Sequence, residues 1–267
     1  IKIPAGTVGE LYKLTGSKYI QSDFSIVMNE LLDSNKAVVI GTPCQIAGAK
    51  SLVPASRVGE YIFIELICHG VPSQIMFDRY IEHMNKKKKT GQTPIVNFRS
   101  KKKGWKSSIY IYRENENRTY LGSSNKDLFY KYFLSDVCLM ESCYECPFRE
   151  NTVADIRVGD YWGEKFAKDK EGVNIVCSYS KTGDEVIKLL SECGEVTSQP
   201  SEDYTNNHIP KYKPKPLYYN NLIRDLHEGK DFKKTFYRYQ KTEERIKKIK
   251  RIANVMLPKF VKRKLKG

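Results

Sequence analysis

The sequence has no apolar run long enough to cross a bilayer. The longest candidate, residues 61–68 (YIFIELIC), is only strand-length and contains Glu65, whereas a spanning helix needs about 20 consecutive apolar residues. A Walker phosphate loop and a Ser-His-Asp pattern are also absent, which removes the sequence basis for P-loop nucleotide hydrolysis and for serine-type hydrolysis. Cysteine is too sparse for a disulfide-stapled scaffold: there are seven, an odd number, in 267 residues. Acidic residues are outnumbered, 31 against 46 Lys and Arg, for a net charge of +15. The excess is local, because residues 241–267 hold eleven Lys/Arg and two Glu, or +9, leaving +6 for the other 240 residues. A basic tail, and not a basic body, is therefore expected, and nucleic acid is disfavoured as a partner. The chain begins at Ile1 and not at a methionine, which leaves room for a leader or an upstream domain.

The sequence does have enough apolar content for a folded α/β chain, with 40% hydrophobic and 29% charged residues. Residues 25–34 have helical spacing, and Ala37–Ile40 reads as a short strand that turns at Gly41-Thr42-Pro43-Cys44. A second unit repeats the plan: strand 61–68, then His69-Gly70-Val71-Pro72, then a helix capped by Ser73. Two strands feeding helices predict a parallel βαβ core, with both cysteines just past strand carboxyl ends, where open α/β sheets bind ligands. Cys44 and Cys68 are thereby expected to become neighbours. Residues 86–91 read as a loop, 95–100 and 108–122 as strands with a turn near Asn115, and 126–135 as a helix. A strand over 154–158 ends at GDYWG (159–163), and another over 173–179 leads to a helix ending at Gly194. Residues 209–219 are proline-rich and read as a linker, followed by helical segments and the basic tail. The fold class expected is α/β, with α+β as the alternative: a mixed, partly parallel sheet flanked by helices, with a helical basic C-terminal extension.

Cys143-Tyr-Glu-Cys146-Pro147 is the sharpest local signal. Two cysteines separated by two residues can turn both sulfurs toward one soft metal. A redox dithiol, half a zinc site and half a cluster site all share this spacing. The pair follows a helix and lies in an irregular loop, which disfavours the dithiol. No second close pair is present to complete a zinc ribbon, although Cys138 lies near. Cys177 and Cys193 sit in apolar contexts and read as buried small hydrophobes. Trp162 reads as core and His69 as a polar turn residue. Lys101–Lys103 with Trp105 reads as a solvated hairpin loop that could also dock an acidic ferredoxin.

Six segments then occur in order: GSKYIQSD (16–23), GTPCQIAGAK (41–50), ICHGVPS (67–73), FRSKKKGWK (98–106), CLMESCYECPF (138–148) and ADIRVGDYWG (154–163). Together they resemble the beta subunit family of coenzyme F420 hydrogenases and dehydrogenases, in its bacterial branch, over about residues 10–200. The resemblance implies a cytoplasmic iron–sulfur flavoprotein, an oxidoreductase that moves electrons between a [4Fe–4S] cluster, a flavin (FAD or FMN) and an unknown donor or acceptor. It implies Cys44, Cys68, Cys143 and Cys146 as cluster ligands, with Cys138 in reserve. It points to Gly16, Lys18, Tyr19, Ser22, Thr42 and Asp160 as flavin contacts. It further implies a ferredoxin-like partner or an upstream ferredoxin domain. The C-x2-C-x2-C region and the glycine-rich segment that larger bacterial members carry ahead of GSKY have no counterpart in these residues.

The division expected is a redox domain over 1–205 and a proline-rich linker with a basic helical tail over 206–267. Ile246, Ile249 and Ile252 recur among basic residues in that tail, which opens two readings: contact with the inner face of a membrane, or docking on protein. The competing function is a non-catalytic zinc module that docks nucleic acid or an acidic partner. The substrate, the direction of electron flow, use of the deazaflavin coenzyme and oligomeric state are left open.

Overall fold

The computed structural model describes residues 6–88, 95–100, 110–115, 118–166, 168–200 and 214–256. Short helix α1 (Val8–Leu14) and a 3-10 turn precede α2 (Met28–Asp33). Strand β1 (Ala37–Gly41) then runs straight into helix α3 (Pro43–Leu52). The switch is encoded locally. Thr42 is the N-cap, Pro43 takes the first helical position, and Gln45 completes a capping box with the Thr42 backbone N–H. Proline is pre-set for that position, and the reciprocal bonds satisfy donors the helix start would otherwise leave open.

Strand β2 (Tyr61–Leu66) pairs parallel with β1, and β6 (Ile156–Asp160) pairs parallel with β2. Strand β7 (Asn174–Ser178) adds antiparallel to β6, giving the order β1-β2-β6-β7. This is the mixed, partly parallel α/β sheet that the pattern predicts. Its parallel strands end at one edge, so the residues after Gly41, after Leu66 and at Asp160 share that edge. Strands β3 (Ile95–Asn97), β4 (Tyr110–Asn115) and β5 (Arg118–Ser123) form a separate antiparallel sheet. The hairpin near Asn115 is present, but it does not extend the main sheet.

Helix α4 (Gln74–Lys88) follows β2 and continues through Lys86–Lys88, which the pattern assigned to a loop. Helix α5 (Leu128–Leu134) starts on Asp127, whose carboxylate accepts from the Phe129 N–H. Helix α6 (Lys181–Cys193) starts on Ser180, whose hydroxyl accepts from the Gly183 N–H. Helices α7 (Tyr219–His227) and α8 (Phe232–Met256) follow.

Two clusters of buried side chains organise these elements. The smaller packs Val39 and Phe63 of the sheet against Ile46 and Ala49 of α3. The larger joins Met76 and Tyr80 of α4 to Phe129 and Phe133 of α5, and to Leu222 and Leu226 of α7. Phe232, Phe236 and Tyr239 of α8 lie in the same cluster, so the first half of α8 is bound into the body. Asp225 anchors this corner: buried, it accepts from Tyr239 at 2.6 Å and pairs with Lys230 and Arg238. Of the linker expected over 209–219, residues 209–213 lie outside the described residues, as do Lys101–Lys103 and Trp105, while Tyr218 and Tyr219 are buried in the larger cluster. Two expectations of burial are corrected. Trp162, two residues past the end of β6, is 46% exposed, and it is the neighbouring Tyr161 ring that turns inward and is buried. Cys193 is exposed, since it occupies the last turn of α6 on the solvent side.

Candidate functional site

The site grows from the common carboxyl edge of β1, β2 and β6. Cys44 lies in the first turn of α3, exposed, with its sulfur 3.3 Å from the Thr42 hydroxyl. Cys68 follows β2 by two residues and is only partly accessible. Between them in the sheet register, Gly41 is the partner of Glu65. The chain leaving Cys68 turns through Gly70, whose φ of +119° lies in the region glycine tolerates best. A Cβ there would meet Leu139 at 2.9 Å and the Cys143 Cβ at 3.6 Å. Gly70 thus lets the Cys68 loop approach the segment that carries the cysteine pair.

That segment is a 3-10 turn, Glu141–Glu145, with Cys143 inside it and Cys146 as its C-cap. It is tied to the Cys68 loop by two backbone bonds, Met140 N–H to Val71 O at 2.7 Å and Ser73 N–H to Cys138 O at 2.8 Å. Tyr144, buried, donates its hydroxyl to the Asp136 carbonyl and accepts from the Leu139 N–H. Arg149 donates to the Cys143 carbonyl at 3.0 Å.

These links gather four thiols that are dispersed over a hundred residues of sequence. Burial pushes the Cys68 thiol up to about 11, with the Gly70 backbone pulling the other way and the sulfurs of Cys143, Cys44 and Cys146 raising it further. Cys143 is raised by the same kind of burial and by its neighbours Cys146 and Cys44. Sulfurs close enough to oppose one another's ionisation are a set that a shared cation would stabilise. Among the described residues no three His, Cys, Asp or Glu side chains converge tightly enough to hold a single metal ion. A multi-iron cluster is larger than a single ion and takes four cysteine sulfurs at its corners. On donor chemistry, the four residues fit such a cluster.

Cys138 has a different setting. It is 1% exposed, its sulfur lies 3.1 Å from the Ser73 hydroxyl, and burial pushes its thiol up to about 12.

The residues expected to face a flavin fall into two groups around the same edge. Gln45 links the first: its amide donates to the Ser22 hydroxyl at 3.3 Å, and its carbonyl accepts from the Thr42 N–H at 3.1 Å. In the second, Asp160 pairs with Arg99 at 3.2 Å, and Tyr19 lies within the influence of both. The Arg99 guanidinium also covers the Trp162 ring at 5.0 Å. Arg99 carried no flavin expectation, and only the fold brings it beside Tyr19, Asp160 and Trp162, the last of which was expected in the core. Gly16 adopts φ +95°, and Lys18 donates back to the carbonyls of Thr15 and Gly16. Partial burial lowers the Lys18 pKa. The Tyr19 ring meets Phe133 at 5.0 Å, and Phe133 meets the His69 ring at 4.8 Å, which connects the Tyr19 group to the residue after Cys68. His69 is more than a turn residue: its Nε2 lies 2.5 Å from the carboxylate of buried Asp136.

The family model for the C terminus of the coenzyme F420 hydrogenase/dehydrogenase beta subunit matches residues 34–204, well over half of the chain. No curated protein matches the chain. Among solved structures, the F420-reducing [NiFe] hydrogenase complex from Methanosarcina barkeri is similar to it at 20% identity and a TM-score of 0.47. That likeness covers 90% of this chain and 72% of the other, and is too distant to carry an argument about fold or site.

Proposed function

Because the chain belongs to the coenzyme F420 hydrogenase/dehydrogenase beta subunit family, we propose that it is an electron-transfer oxidoreductase subunit that holds a [4Fe–4S] cluster on Cys44, Cys68, Cys143 and Cys146. The observation that carries this reading is the convergence of those four thiols from three separate elements. When bound, the cluster would supply one-electron chemistry. The protein's own contribution is positional. The α3 cap fixes Cys44, the Gly70 turn brings Cys68 against Cys143, and Arg149 holds the Cys143 carbonyl. Removing water from Cys68 favours a ligand state over a free thiolate, since a buried charge persists only when it is paired or bound to metal.

A flavin, FAD or FMN, completes the proposal. Gly16, Lys18, Tyr19, Ser22, Thr42 and Asp160 would contact it, and Lys18 offers a cation to its phosphate. The cluster residues and these contacts lie in residues 1–205, which we take as the redox unit, with 206–267 as its helical extension. The family's redox role, together with the partly exposed site, supports a protein partner such as a ferredoxin-like donor.

The test is anaerobic purification followed by iron, sulfide, zinc and flavin analysis. The expected result is about four iron and four sulfide per chain, lost on replacing any of Cys44, Cys68, Cys143 or Cys146 by Ser and kept on Cys138→Ser. Stoichiometric zinc without sulfide would replace this reading with a non-catalytic metal module.

A further inference from the structure

Helix α8 changes character along its length. Its first half is bound into the body through Phe232, Thr235, Phe236 and Tyr239, all buried. Ile246, partly buried, is the last of its described side chains that packs against that core. Beyond it, Ile249 is 65% exposed and Ile252 is 49% exposed. Positions 246, 249 and 252 lie three apart, and each step of three falls back about 60° around a helix of 3.6 residues per turn. Ile249 and Ile252 therefore turn away from the side that fastens the first half of α8 to the protein, and face solvent with nothing covering them among the described residues.

The charge around these two isoleucines has one sign. From residue 245 to the end there are ten Lys and Arg and no Asp or Glu. Arg245, Lys247, Lys248 and Arg251 are exposed beside the two isoleucines. Seven of the ten basic residues are lysine, a compact point charge that needs no fixed partner geometry. No described helix is long and apolar enough to cross a membrane.

We infer that the second half of α8 is a membrane-surface contact selective for anionic lipid. The helix would lie in the headgroup plane with Ile249 and Ile252 inserted and the cations on phosphates. Nucleic acid would satisfy the cations and leave both isoleucines in water. A diffuse anionic plane over an apolar interior satisfies both features. The partner is identified by charge complementarity, and the inference stands independently of the cofactor content.

The experiment is co-sedimentation of the full chain with vesicles. One set is pure phosphatidylcholine, and the other contains a substantial share of phosphatidylglycerol. Binding is expected to the anionic vesicles only and to weaken by at least roughly tenfold when salt is raised well above physiological strength. The double variant Ile249→Asp, Ile252→Asp should lower partitioning by at least about tenfold at unchanged thermal midpoint, since both side chains are exposed and outside the core. Lys248→Glu with Arg251→Glu provides a second variant should the first disturb the helix, with the same loss expected. Equal binding to both vesicle types, no binding to either, or parental partitioning of a folded variant would each overturn the inference. Capture of an acidic protein without vesicle binding would assign the surface to a protein partner instead.

Discussion

Arg157 is the residue whose removal should reveal how the cysteine loop is held. It lies on β6, 2% exposed, opposite Glu65 of β2 in the parallel register, and Glu65 is fully buried. Its Nε and one terminal nitrogen both reach Glu65 Oε1 at 2.5 Å. The same guanidinium donates to the carbonyls of Phe148, Arg149 and Asn151, at 3.4, 3.4 and 3.1 Å. One side chain thus neutralises a carboxylate three residues before Cys68 and ties down the chain just after Cys146. Arg157→Ala leaves Glu65 buried and uncompensated, a loss of about 3–5 kcal/mol for a broken buried pair. At about 2–4 °C per kcal/mol for a chain approaching this size, the thermal midpoint should fall by roughly 6–20 °C. Glu65→Leu with Arg157→Met removes the stranded charge and should recover much of that stability. It cannot restore the three carbonyl contacts, so iron content should stay low in the double variant while its midpoint recovers. The assay is thermal unfolding by circular dichroism beside iron analysis of the same preparations. A single variant that loses under about 1 kcal/mol, or a double variant that regains iron together with stability, would refute the assignment of Arg157 as the anchor of the loop.

Two further outcomes are expected. Alkylation by iodoacetamide at pH 8 in metal-free native protein should label Cys44 and Cys193, which are exposed, and spare Cys138. With its thiol pushed up to about 12 by burial, Cys138 is roughly one part in ten thousand ionised at that pH. Its labelling should therefore rise as pH climbs toward 12, and mass spectrometry showing early modification of Cys138 would contradict the packing around it. Gly70→Ala forces an L side chain into φ +119° with a Cβ 2.9 Å from Leu139. It should cost about 1–3 kcal/mol and lower iron content by separating Cys68 from Cys143, with urea unfolding and iron analysis as the readouts.

Much of the local structure is written in short stretches of sequence. Thr42, Pro43 and Gln45 specify a strand-to-helix switch within four residues, and the Cys143/Cys146 spacing announces a soft-metal or redox site. The α/β class follows from periodicities that backbone geometry imposes on any chain. The family is legible because six short motifs keep their order. What those motifs have in common in space is not legible, because it depends on contacts between distant residues. The buried Glu65–Arg157 pair spans 92 positions, and neither residue signals the other. Arg99, which follows β3 of the other sheet, meets Asp160 and Trp162 only through the tertiary fold, and Trp162 is 46% exposed where an isolated aromatic reads as core. The last helices show the division most plainly. Their sequence determines an amphipathic basic helix, by the spacing of apolar residues among lysines. Only packing against α4 and α5 decides that Phe232, Phe236 and Tyr239 are buried while Ile249 and Ile252 are exposed, because burial is a property of neighbours that no single helix contains.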